Sequence, residues 1–342
     1  MATIVTDPLD FNIDELYVGL RELFGWNLYL KCEGFNFAGS VKLKAAIEMV
    51  ESMEREGGLS PEDTLIESSS GNMGVALSMV AARKGYRFVC VTDIRCTLAA
   101  RRLMAALGAV VHVVTDRDEQ QGFLSTRLAL VRRLCESNDN FVWLNQYANS
   151  ANWNAHYRKT GPDIARAFPN LDVLFVGAGT TGTLMGCARY FKSFRPEVTV
   201  VAVDAAGSVS FGGPPGERLL PGLGTSVRPS ILDESYVDDI VHVSEPEAIA
   251  ACHRLGRSGF LFGGSTGTVV HGAVTWLRQH RGPAPTAAVA IAPDLGGNYA
   301  DTVYDPDWLH RSYGSRLADL PLAPLPWDAE TSLLGGQGSS WS

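Results

Sequence analysis

Amine chemistry has few candidates in this chain. Of its 29 basic residues only six are lysines: Lys31, Lys42, Lys44, Lys84, Lys159 and Lys192. Lys42 closes the segment GSVK (39–42) just inside an expected helix start. There the helix field and nearby donors favour anions and work against a protonated amine. Such a lysine is a Schiff-base candidate, although a lysine at a helix start is more often a solvated surface group. Lys44 competes with it on chemistry alone. Three further segments, SSSGNMG (68–74), GAGTTGT (177–183) and GGSTGT (263–268), are rich in Gly, Ser and Thr. Each offers backbone N–H groups and hydroxyls at a helix N-terminus, which suits an anion. One such loop is often a plain turn; three, with FNFAGSVK (35–42), point to a site assembled from both halves of the chain. GAGTTGT has neither the GxGxxG nor the GxxxxGK[ST] pattern, which disfavours dinucleotide and Walker-type readings.

These loops need a scaffold that ends strands where helices begin. Short β-branched runs at 87–92, 110–114, 173–176, 198–203 and 287–291 read as buried strands. Helix-like apolar spacing fills 41–56, 74–84, 99–107, 122–135 and 182–194 between them. The alternation predicts an α/β protein with mostly parallel sheets, whose ligands sit beyond the strand ends. No internal repeat is visible. The tail after Pro326, ending GGQGSSWS, has linker composition and is expected to be disordered.

Composition narrows the function classes. With 342 residues, 46% apolar and 19% charged, the chain has material for about two domains. No apolar run approaches the ~20 residues of a membrane span, and MATIVTDPLDFNIDEL lacks the pattern of an export signal. A membrane or secreted protein is not expected. The net charge of −8, without a Lys/Arg block, disfavours nucleic-acid binding. Six scattered cysteines without CxxC spacing read as small buried hydrophobes in a reducing compartment. Seven histidines form no metal or triad pattern, so no metal is expected.

The ordered segments resemble the fold type II family of pyridoxal-phosphate enzymes, the cysteine synthase group. The resemblance covers residues 30–310 and rests on six motifs in family order. These are N-x-x-G-S-x-K at 36–42, S-S-G-N-x-G at 69–74, N-Q-Y-A-N-x-x-N at 145–152, HYRKTGPDI at 156–164, G-T-T-G-T at 179–183 and G-G-S-T-G at 263–267. It implies two open, twisted, mostly parallel α/β sheet domains with the cofactor in the cleft between them. The large domain would comprise 1–42 and 149–325. The small mobile domain, 43–148, would close over substrate, and 326–342 would form the tail. A homodimer in the cytoplasm acting on small-molecule amino acids is implied as well.

By the same resemblance Lys42 holds pyridoxal 5'-phosphate as a Schiff base and later acts as the base at Cα. The cofactor phosphate would lie in the loop of Gly179, Thr180, Thr181, Gly182 and Thr183, with Asn72 on its phenolic oxygen and Ser265 facing its pyridine nitrogen. A neutral hydroxyl does not force protonation of that nitrogen, which favours prompt loss of a β-leaving group over a long-lived carbanion. Ser69, Ser70, Asn72 and Met73 would bind the substrate carboxylate, Gln146 would close over it, and His156 would be structural. Details such as the Thr180–Thr181 pair, VDAAGSVSFG (203–212), LPGLG (220–224) and FGGSTG (262–267) look closest to a branch that makes 2,3-diaminopropionate precursors for siderophores and peptide antibiotics. That branch implies β-replacement of O-phospho-L-serine through an aminoacrylate, with L-glutamate as nucleophile. Arg127 is then the candidate for the substrate phosphate or a glutamate carboxylate and Tyr147 for orienting the second substrate, while Arg218 and Arg228 stay undivided. A cysteine synthase using O-acetylserine or O-phosphoserine with sulfide, and a catalytically silent partner-binding relative, are the alternatives.

Overall fold

The computed structural model describes residues 4–118, 122–280 and 286–317, so the expected tail lies outside the described residues. In chain order the first half runs β1 (Tyr17–Gly19), α1 (Arg21–Phe24), β2 (Leu28–Cys32), α2 (Lys42–Arg55), β3 (Thr64–Ser68), α3 (Asn72–Lys84), β4 (Arg87–Asp93), α4 (Leu98–Ala106), β5 (Val110–Val114), α5 (Leu124–Glu136) and β6 (Phe141–Trp143). The second half adds α6 (Ser150–Arg158), α7 (Thr160–Ala167), β7 (Val173–Gly177), α8 (Gly182–Phe194), β8 (Thr199–Ala205), β9 (Asp239–Val243), α9 (Glu245–Gly256), α10 (Gly264–His280), β10 (Ala288–Ala292) and α11 (Pro306–Tyr313).

Two sheets result. One has six strands in the order β1-β2-β10-β7-β8-β9, the other four in the order β5-β4-β3-β6. Every pairing is parallel except β1 with β2 at one edge. Helices cover both faces of the larger sheet, so β10 (AVAIA) and β7 (VLFVG) are apolar runs buried along almost their whole length rather than alternating strands. Its two faces carry separate apolar clusters, one including Phe175, Trp276 and Leu277, the other Val176, Leu184 and Phe191. A third cluster, with Leu43, Met49, Leu77 and Met104, fills one face of the small sheet.

One expected buried strand is not buried. Among the described residues β5 pairs only with β4, and Val110 is 55% exposed. It is the edge of the small sheet, where one flank has no neighbour to desolvate it.

Candidate active site

The strand ends of both sheets face one cleft of about 1320 Å³ including its open mouth. Its wall takes in Lys42, the 69–73 loop, Gln146, Tyr147, the 179–183 loop and Ser265. Every residue that the sequence assigned to cofactor or substrate, Arg127 included, therefore borders a single cavity.

Lys42 reaches it because a tight turn aims α2. The Asn36 side chain accepts from Ala38 N (3.0 Å) and donates to the carbonyls of Glu33 (3.1 Å) and Ser40 (3.0 Å). Val41 N then donates to Pro293 O at 2.7 Å, tying the helix start to the end of β10. Burial pushes the Lys42 amine down to about 8, and nearby Asp294 opposes this. Desolvation, rather than the helix field expected from sequence, dominates. Lys44 is unlike it. Burial alone would lower its pKa, but Glu33 (2.9 Å) and Asp14 (2.6 Å) hold it up as a paired cation.

Opposite Lys42, β7 ends in the 178–181 loop that starts α8. Thr181 adopts a left-handed conformation at φ 67°, an outlier for a β-branched residue. Such strain concentrates where a ligand needs the backbone. Its hydroxyl is buried and has no hydrogen-bond partner among the described residues. Thr180 Oγ1 accepts from Asn152 Nδ2 at 3.2 Å, and Thr183 Oγ1 lies 3.2 Å from His156 Nε2. The other ring nitrogen of His156 is 2.9 Å from Thr160 Oγ1, and burial lowers its pKa well below the usual histidine value. His156 is thus a neutral strut under the loop. Gly222, at φ 113°, packs on Ser265, where any Cβ would collide with the serine hydroxyl.

On the third wall, Ser69 Oγ accepts from Gly71 N (3.1 Å) and Gly74 N (2.8 Å) and so stabilises the start of α3. Ser70 is half-buried beside it, and Met73 is buried at the cleft wall. Asn72 Nδ2 donates to Asp294 Oδ2 at 2.8 Å, and the Tyr299 hydroxyl donates to the same oxygen. Burial pushes the Asp294 carboxyl up to about 6. Gln146 Nε2 donates to Ser68 O at 2.7 Å and its backbone N to Glu67 Oε2 at 3.0 Å. Glu67 joins the two substrate-facing loops from below, and burial pushes its carboxyl up to about 7. The Tyr147 carbonyl accepts from Ser230 Oγ at 3.1 Å, leaving its half-buried ring on the cleft wall.

Arg127 is no solvated helix arginine. It is 4% exposed, its Nε lies 3.4 Å from Asp93 Oδ2, and among the described residues Nε and Nη1 have no hydrogen-bond partner. Sequence reasoning missed Glu67, Arg95 and Tyr299. Their residue types are ordinary, and only the tertiary fold brings them to the site. Arg228 lies off the cleft, paired with Glu234 at 2.6 Å, whereas Arg218 lines it.

A hydroxyl-lined loop with an orphaned buried donor, facing a desolvated lysine across parallel strand ends, fits a phosphorylated aldehyde cofactor. This fold and site define a pyridoxal-phosphate enzyme of fold type II. The chain belongs to the family described as pyridoxal-phosphate dependent enzyme, whose model matches residues 17–294. It is 40% identical over 301 residues to N-(2-amino-2-carboxyethyl)-L-glutamate synthase of Ralstonia nicotianae, covering 87% of this chain and 88% of that one. The enzyme of the same name from Cupriavidus metallidurans is 40% identical over 318 residues, with 90% and 92% covered. Among solved structures, a lysine-to-alanine mutant of O-ureido-L-serine synthase bound to O-ureido-L-serine aligns with TM-score 0.82 at 28% identity, covering 98% of this chain and 100% of that one. An O-acetylserine dependent cystathionine beta-synthase from Helicobacter pylori aligns with TM-score 0.80 at 25% identity, covering 88% and 99%.

Among the described residues no helix is long and apolar enough to cross a membrane, and no cluster of His, Cys, Asp and Glu could hold a metal ion.

Proposed function

We propose that this enzyme joins O-phospho-L-serine to L-glutamate, giving N-(2-amino-2-carboxyethyl)-L-glutamate and phosphate on the way to L-2,3-diaminopropionate. The C–O bond at Cβ breaks, phosphate leaves, and the glutamate nitrogen forms the new C–N bond and gives up a proton. The observation that carries this reading is the buried Arg127 guanidinium with unmatched donors in the cleft wall. A neutral acetyl ester needs no desolvated cation there, whereas a phosphate dianion does, so the arginine supports phosphate as the leaving group. The two relatives that share 40% identity carry the name of this reaction.

Bound in the cleft, pyridoxal phosphate supplies an electron sink that acidifies Cα of an attached amino acid. Gly179, Thr180, Thr181, Gly182 and Thr183 hold its phosphate with backbone N–H groups and hydroxyls. Ser265 serves the ring nitrogen and Asn72 the phenolic oxygen. Ser69, Ser70, Asn72 and Met73 cradle the substrate carboxylate, and Gln146 closes over it. Lys42 Nζ takes the proton from Cα; an amine pushed down to about 8 is basic enough to take it and is free to release it near neutral pH. Arg127 steadies the departing phosphate, and the Tyr147 ring orients the amine donor.

Strand membership supports a large domain of 1–42 with 149–325 and a small domain of 43–148; movement of the small domain over bound substrate, to exclude water, is implied by the family resemblance. The dimeric state rests on family resemblance, and six free cysteines fit a reducing cytoplasm. The test mixes holoenzyme with O-phospho-L-serine and offers L-glutamate or sulfide. Mass spectrometry is expected to find the glutamate adduct together with released phosphate. Ready cysteine formation without that adduct would overturn the reading.

A further inference from the structure

Two anionic substrates need cations on more than one wall of the cleft, and Arg127 supplies one wall from α5. The loop after β8 supplies another. Arg218 is 7% exposed and lines the cavity. Its Nη1 donates to the carbonyls of Gly207 and Gly216. Among the described residues no carboxylate lies within ion-pair distance of it, although Asp204, Glu245 and Asp118 act on it from farther away. Its neighbour is a second cation: Arg95 Nη1 donates to Arg218 O at 3.1 Å. Arg95 and Arg127 share one buried carboxylate, Asp93, at 3.0 and 3.4 Å. Asp93 is thus already taken by two guanidiniums, and Arg218 has no share in it. Burial and the charge of Arg95 both work against the Arg218 cation, yet an arginine does not escape by losing its proton. A buried cation without a counter-charge is costly unless a ligand anion completes it.

We infer that Arg218, flanked by Arg95, binds a carboxylate of the incoming amine donor and selects a dicarboxylic amino acid as second substrate. This deepens the proposed function and rests on it. The first substrate's carboxylate and phosphate are matched to the 69–73 loop and Arg127. Arg218 sits on a different wall, on the chain that leads into Leu220–Pro221–Gly222 beside Ser265. A guanidinium there gives a carboxylate two parallel donors, a geometry an ammonium cannot copy.

The test compares Arg218→Gln, Arg218→Lys and, as a control, Arg228→Gln, using holoenzyme throughout. One readout is the single-turnover release of phosphate from O-phospho-L-serine alone; the other is KM for L-glutamate in full turnover. Arg218→Gln is expected to raise KM for L-glutamate by roughly ten- to a hundred-fold, the scale of a lost charge-assisted hydrogen bond. Phosphate release should stay within about two-fold, as expected for loss of binding made to one substrate only. Arg218→Lys should recover part of the loss, and Arg228→Gln should match wild type. An unchanged KM in Arg218→Gln, with wild type forming the adduct, overturns this inference alone. Slowed phosphate release that Arg218→Lys does not restore also overturns it, because the side chain then serves the first substrate or its own loop. Wild type that releases phosphate yet makes no glutamate adduct overturns both this inference and the reading beneath it.

Discussion

Lys42 and Lys44 are two residues apart on the same helix and meet opposite electrostatic fates. Among the described residues the Lys42 amine has no carboxylate within ion-pair distance in the cleft, and burial brings it down to about 8. At pH 7 roughly a tenth of such an amine is neutral, against well under a thousandth for an ordinary lysine. Lys44 faces Glu33 and Asp14 and stays charged. Lys42→Ala should therefore abolish the borohydride-fixable attachment of the cofactor, while Lys44→Ala should keep it. Lys44→Ala should instead lose about 3 kcal/mol of stability, because a buried Glu33 loses its nearest cation. Lys31, 3.5 Å from Glu33, keeps that loss at the low end. Absorbance after borohydride and denaturant unfolding separate the two variants, and a fixed adduct surviving in Lys42→Ala would refute the assignment. The sequence pattern pointed to Lys42 by its place after Gly39 and Ser40. The reason the amine is depressed was not legible there, since it is burial, which only the assembled fold creates.

Helices α6 and α8 position the cofactor loop, and a glycine sets their spacing. A Cβ at Gly186 would lie 2.5 Å from His156 Cβ and 2.8 Å from Tyr157 N. Alanine at a helix interior normally gains up to about 1 kcal/mol over glycine. Here the clash is with backbone and a buried strut, and overpacking of that kind costs about 1–3 kcal/mol. Gly186→Ala is thus expected to melt at lower temperature than wild type, and since His156 braces Thr183, its cofactor affinity should fall too. A higher melting temperature would show that α6 yields freely. The expected segments at 87–92, 173–176, 198–203 and 287–291 coincide with β4, β7, β8 and β10 to within a residue or two, because buried parallel strands are written as β-branched runs. β2 and β3 escaped this reading. LYLKC and TLIES carry Lys31 and Glu67, charged residues that are buried all the same. Polar types at core positions hide a strand from any hydrophobic pattern. The start of α10 is legible, since GGSTGT reads as a helix N-terminus, but the length of the helix is not.

Across the whole molecule the pH dependence of stability is a contest between buried acids and buried histidines. Burial pushes Glu67 up to about 7, and Asp204 and Asp294 up to about 6. A carboxyl raised in the folded state holds its proton more tightly there than when unfolded. Its contribution is full below the ordinary carboxylate value and is lost as pH rises through the folded one. His156, His253 and His271 are all lowered, chiefly by burial, and act in the opposite sense: their contribution is full above the unfolded histidine value and is lost as pH falls. Between pH 5 and 8 the two sets oppose each other, so the overall slope does not isolate either. Comparing Glu67→Gln with wild type does. Ser68 N and Gln146 N bond to different carboxyl oxygens, so glutamine keeps an acceptor for one of them and sets a donor against the other, a penalty that does not vary with pH, and it has no proton to lose. Relative to wild type, the apo variant should gain roughly 1–3 kcal/mol as pH rises from 5 to 8, the scale of a carboxyl shifted by one to two pH units. Denaturant midpoints at four pH values across that range read this directly. A constant offset between the two proteins would mean that Glu67 stays ionised throughout. The carboxylate would then be held by the donors of the two loops it joins, and those loops would be the stronger partner in the site.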